Sequence, residues 1–401
     1  METRPFLRSI KACLGDFVWL DFTHASLPEA HRLLGQHVAL QVHKIITHRL
    51  ETLPPTRIAQ LFDQVQHCKQ ALFQKVSDSH VEPLLRVALD EYLECLAAWS
   101  RGSGLDNYHH PALAPHQPIG SLELALFLQN DSTGCQTGML RCDDGTITLW
   151  HTEEDIETEP GTGFDQLRIA SFNVQEGQRQ VVINAFIYPD LLPGPAFGWR
   201  SDGCVQAADL LYIKPLAQGT PAILGNIVTW LALRLGAAYD TQALIEAMLP
   251  TFDGYALNVA TVKGGEVQAL KCEFGASYSL QSKLEKKPGS YVYQANIFTD
   301  GADPRIQEIE DLVLEERRWF EDRAENTRHL MEARGEAKAD PGELRALFKM
   351  ITSQVGEKWA YANQHVKAYF LCHLTQNEAE LWLGVGPAFP DDKPTVIKII
   401  F

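Results

Sequence analysis

Apolar residues recur three and four positions apart through most of the first hundred residues. Leu33, Leu34, Val38, Leu40, Val42, Ile45 and Ile46 form one stripe, and Ile58, Leu61, Phe62 and Val65 form a second after the Pro54-Pro55 break. A third runs through Val81, Leu84, Leu85, Val87, Leu89, Tyr92, Leu93 and Leu96 and stops at Gly102-Ser-Gly104. This spacing predicts helices, the last closed by a glycine. Residues 106–118 carry three prolines and three histidines without periodicity and read as a connecting loop.

The pattern changes from Ser121. Short β-rich runs are predicted at 121–128, 135–141, 146–151, 167–173 and 179–187. A helical block covers 222–249, with Asp240-Thr241 as an internal cap, and strands 255–262 and 266–273 are joined by a Lys263-Gly-Gly265 hairpin. Charged helices are expected at 305–336 and 341–355, then strands near 366–372, 379–384 and 394–400. The helix at 305–336 reads most simply as a solvated face with intrahelical charge pairs. The fold class is α+β. Residues 1–119 form an N-terminal helical segment, a candidate pro-segment, packed on a domain at 120–401.

Composition narrows the function. With 35 Lys+Arg against 51 Asp+Glu, the net charge of −16 argues against a nucleic-acid partner. No apolar run reaches the 18 or so residues of a spanning helix, and the start lacks a secretory signal, so no membrane partner and a cytoplasmic location are expected. The eight cysteines (13, 68, 95, 135, 142, 204, 272, 372) include no CxxC pair, which leaves no disulfide framework or zinc knuckle. Neither GxGxxG, a P-loop nor GxSxG occurs, and no cofactor is expected. His109, His110 and His116 lack helical metal-ligand spacing, so no metal is expected either. His151-Thr-Glu-Glu-Asp155 continues a strand whose alternating side chains cannot converge on one ion, and it reads as an acidic strand end facing solvent.

Seven cysteines read as small buried hydrophobes. Cys135 differs, because it follows Gly134 and a polar turn at the head of a strand. There a thiol can attack a substrate or its own preceding peptide bond. The run from Gly134-Cys135 through Asp144-Gly145 to His151-Thr-Glu-Glu-Asp155 resembles the start of the mature chain in acyl-coenzyme A:6-aminopenicillanate acyltransferases. It is also similar to the wider N-terminal-nucleophile hydrolases, including conjugated bile-salt hydrolases. Looser matches follow in the family's order: Tyr92-Leu-Glu94 to Leu105, Tyr188 to Gly203, Tyr293-Gln-Ala-Asn296, Arg328, and Leu381 to Gly386. The departures are Thr152 for the family's Asn, Gln294 and Ile297 for its histidines, and Trp230 for the arginine of its middle helix.

The resemblance implies a four-layer αββα sandwich and cleavage at Gly134–Cys135. Cys135 would then use its own α-amine as general base, attacking an amide or thioester carbonyl of a small-molecule acyl donor such as an acyl-CoA. Asn296 would donate to the oxyanion. Glu154 or Asp155 would hold the α-ammonium; the family's spacing favours Glu154, and residue type favours Asp155. Two other readings stay open: a catalytically silent scaffold, and a papain-like enzyme pairing Cys135 with His365 or His373. Hydrolysis or transfer is undecided, as is oligomeric state, a homo-oligomer included.

Overall fold

Two antiparallel strands, β1 (Phe6–Ala12) and β2 (Gly15–Asp21), precede the helices. The computed structural model describes residues 6–12, 15–116, 119–129, 134–154, 167–217, 219–298, 314–334, 343–344, 346–347, 366–385 and 395–401. The three predicted stripes become α1 (Leu27–Thr52), α2 (Pro55–Ser77) and α3 (Pro83–Ser103). Each has proline in its first turn, where a missing N–H costs nothing. Gly104, at φ 79°, ends α3. Reading all of 1–119 as helical therefore misses the opening strands. Phe17-Val-Trp-Leu20 is too brief an apolar run for periodicity to classify, and parallel pairing with a distant strand fixes it as β2.

Next comes α4 (Ser121–Leu128), where a strand was expected. Leu, Ala and Glu are strong helix formers, and Glu123 accepts the Gly120 N–H at 3.1 Å, which caps the turn. The remaining strands are β3 (Gly134–Arg141), β4 (Ile147–Glu154), β5 (Leu167–Glu176), β6 (Arg179–Ile187), β7 (Phe197–Arg200) and β8 (Cys204–Leu211). Helices α5 (Gly225–Leu235) and α6 (Thr241–Met248) split the predicted block, with Asp240 capping α6 through the Ala243 N–H. The chain continues through β9 (Thr251–Lys263), β10 (Glu266–Ala276), β11 (Tyr278–Lys283), β12 (Tyr291–Gln294), α7 (Leu314–Arg334), β13 (Val366–Leu374), β14 (Glu378–Val385) and β15 (Thr395–Ile400).

These strands form two sheets in a mixed α+β molecule. One runs β1-β2-β5-β6-β7-β8-β9-β10-β11, the other β12-β3-β4-β13-β14-β15. Apolar clusters hold them, three of which set the layers. Leu34, Val38, Leu89 and Leu231 of the helices meet Phe172, Ile183, Leu257 and Phe274 of the nine-stranded sheet. Its alternate residues, among them Ile169, Phe186, Val205 and Ala207, pack with Met139, Leu149, Phe370 and Leu381 of the six-stranded sheet. The other face of that sheet, with Trp150, Tyr369 and Leu371, packs with Met331 of α7. Segment 1–119 thus shares both sheet and core with the rest.

Candidate active site

Cys135 is the second residue of β3 and is 3% exposed. Its backbone N–H donates to Asn296 Oδ1 at 3.2 Å, while Asn296 Nδ2 lies 3.7 Å from the thiol and donates to the Leu210 carbonyl at 2.9 Å. Asn296 follows β12 in the left-handed region, at φ 60°, a conformation asparagine tolerates better than most residues. One amide thus spans the heads of β3 and the ends of β8 and β12.

Strand register settles which side chains share the thiol's face. Gly134 pairs with Glu154 and Cys135 with Glu153. Paired residues point the same way and successive ones alternate, so Glu153, and not Glu154, lies on the thiol's side of the sheet. Glu154 faces α7. Its carboxylate accepts from Thr152 Oγ1 at 2.9 Å and meets Arg323 Nη1 at 2.9 Å. Arg323 Nη2 bridges Glu154 Oε1 and the Cys135 carbonyl oxygen, each at 3.1 Å. Burial pushes the Glu154 carboxyl up despite the opposing charge of Arg323. Asp155 lies outside the described residues. Arg328, the arginine matched to the family, is half exposed and pairs with Glu332. The buried arginine is Arg323, so α7 is not merely a solvated face.

The expectation of a solvent-facing strand end is also overturned for residues 151–154, since every residue of β4 is buried. Along its inner face Ile147 and Leu149 give way to His151 and Glu153. His151 Nδ1 hydrogen-bonds Thr137 Oγ1 at 2.6 Å, and its Nε2 meets Glu153 Oε1 at 2.7 Å. The Tyr188 hydroxyl donates to the other Glu153 oxygen. Opposite, on the nine-stranded sheet, the apolar alternation of Val205 and Ala207 ends in Asp209, which is fully buried and accepts from Asn258 Nδ2 at 3.2 Å. Lys271 and Glu273, 3.3 Å apart, lie beyond it on β10. Sequence reasoning missed Glu153, Asp209 and His151, because residues 151–154 are polar on both faces of their strand and no strand is predicted at 204–211.

No protein-family model and no curated protein matches this chain. The geometry must speak for itself. Burial, then the charges of Asp209 and Glu153, push the Cys135 thiol well above its ordinary range, so it is protonated in the intact chain. Burial pushes His151 down, but Glu153 and Asp209 outweigh it and the ring is held above its usual value. Asp209 is pushed up to about 6 by burial, tempered by His151.

A Cys135–His373 pair is not formed. His373 pairs in register with Thr148, itself opposite Leu140, five residues along β3 from the thiol, or about 17 Å. His365 lies outside the described residues. Among the described residues no cluster of His, Cys, Asp or Glu could hold a metal ion, and no helix is long and apolar enough to cross a membrane.

Proposed function

We propose that this protein is a cysteine N-terminal-nucleophile amidohydrolase or acyltransferase, activated by autocatalytic cleavage of Gly134–Cys135. Helices outside two face-to-face sheets fit the four-layer αββα sandwich of such enzymes, and β3 pairs antiparallel with β4 as that fold requires. The observation that carries the reading is the double engagement of Cys135 by Asn296. Once the bond is cut, the same Oδ1 can accept from the new α-amine, the base that the released thiol needs. The same Nδ2 lies beside the thiol, where an attacked carbonyl would develop negative charge. Such a donor contributes about 3–4 kcal/mol to the transition state.

The substrate class is a small-molecule acyl amide or thioester. The acyl-enzyme then passes to water or to an amine, with the same residues serving both. The test is denaturing mass spectrometry of the purified full chain. Wild type should give fragments of about 15 and about 30 kDa, the shares of 1–134 and 135–401 at this chain's mean residue mass. Cys135→Ala should stay whole. An intact wild type with full amidase activity would contradict a self-supplied base, and an intact, inactive one would favour the silent scaffold.

A further inference from the structure

Before cleavage, the nitrogen of Cys135 is an amide that donates to Asn296, and it cannot act as a base. The first step therefore needs another acceptor for the thiol proton. Three buried carboxylates surround the site. Glu154 is on the far face, bound by Arg323. Glu153 has one oxygen engaged by His151 and the other by the Tyr188 hydroxyl. Asp209 is different. Its Oδ2 is held by Asn258, but its fully buried Oδ1 has no hydrogen bond of full geometry. Of the charges near the Cys135 thiol, that of Asp209 acts on it most strongly, and Oδ1 lies 3.8 Å from His151 Nδ1. The thiol also sits 3.7 Å from the carbonyl of Ala208, the residue before it. An open acceptor, buried between two sheets, is costly to keep.

We propose that Asp209 is the catalytic base for the first turnover of this chain, taking the Cys135 proton while Gly134–Cys135 is intact, with His151 and Glu153 as positioning residues. The proposal rests on the cleavage reading above. The thiol sulfur bonds to the Gly134 carbonyl carbon as its proton passes to Asp209. Collapse breaks the Gly134–Cys135 C–N bond, and Asp209 returns the proton to the departing nitrogen. The product is a thioester between Gly134 and the Cys135 sulfur, with a free α-amine. Water then hydrolyses it, leaving a Gly134 carboxylate and the thiol. From that point the α-amine takes over as base.

The experiment follows conversion of freshly purified full-length chain to its two fragments by denaturing mass spectrometry. Asp209→Asn keeps the size of the side chain and should slow conversion by about 10²-fold or more, with the near-ultraviolet circular dichroism of wild type. Equal rates in wild type and Asp209→Asn would overturn the proposal and leave the cleavage reading standing. A wild type that never converts would overturn both. Should the variant fail to fold, the wild-type pH profile decides. The groups facing Asp209 are Cys135 from β3, His151 and Glu153 from β4, Lys271 and Glu273 from β10, and Tyr293 from β12. With Asp209 as base, the rate should rise with pH through about 6, as that carboxyl ionises, and then level. A rate that is flat or falls across that window would count against it.

Discussion

Glu154 and Arg323 meet in a buried contact that reaches the nucleophile only through its backbone, by way of the Cys135 carbonyl. Breaking such a pair from one side leaves an uncompensated buried charge, which typically costs about 3–5 kcal/mol. Glu154→Gln should therefore lower the urea midpoint of the intact chain by that order and slow cleavage by misplacing the head of β3. A variant within about 1 kcal/mol of wild type, cleaving at the wild-type rate, would remove Glu154 from the site. Cys135 carries its own local signal, a thiol after glycine at a strand head, whereas Asn296 is reached only through the resemblance, since by itself it reads as a turn residue after a strand. Glu153, His151 and Asp209 are not. Alternation along a strand fixes which residues share a face, but whether that face meets solvent or a second sheet depends on elements far away in the chain. The acidic run at 151–155 looks solvated for that reason, although His151, Glu153 and Glu154 are completely or nearly completely buried.

At the scale of elements, β3 and β4 are locked by a glycine on one strand and an indole on the other. Gly138 pairs with Trp150, and a Cβ placed on Gly138 would fall 1.9 Å from the Trp150 ring. Gly384 bears the same relation to Tyr369, 2.1 Å away, so the sheet repeats the device between β13 and β14. An aromatic ring laid over a glycine shields its backbone and fills the space a side chain would take. Gly138→Ala must displace the indole and should cost about 1–3 kcal/mol, read as a lower denaturant midpoint with unchanged slope. A cost below about 0.5 kcal/mol would mean the ring shifts freely. Helices α1 to α3 follow from periodicity because their apolar stripes are long, and so do the β3–β4 pair and the β9–β10 hairpin, whose strands lie next to each other in the chain. The short elements do not: Ser121–Leu128 is apolar nearly throughout, a composition that suits strand and buried helix alike, and it is α4 because it packs between α2 and α3.

At the scale of the whole molecule, the helices and the nine-stranded sheet meet around a histidine. His31 of α1 stacks on Phe172 of β5 at 4.9 Å and leans on Trp230 of α5 at 6.3 Å. Its Nδ1 donates to the Leu27 carbonyl at 2.8 Å, while its buried Nε2 has no partner. Burial drives its pKa down to about 4, with the Leu27 carbonyl opposing, so the folded chain keeps this ring neutral. The unfolded chain protonates it near pH 6.5. A depressed folded pKa means stability that is fully present above the unfolded value and is lost as pH falls toward the folded one. The window is pH 6.5 down to about 4, and the loss from this one group is of order 3 kcal/mol. His31→Leu gives up the Leu27 hydrogen bond, about 1 kcal/mol at pH 7, but removes the titration. Urea midpoints at pH 7, 5.5 and 4.5 should therefore converge and then cross, the variant becoming the more stable protein in acid. Parallel wild-type and variant curves would show that the ring is solvated when protonated, and that this junction opens well before the chain unfolds.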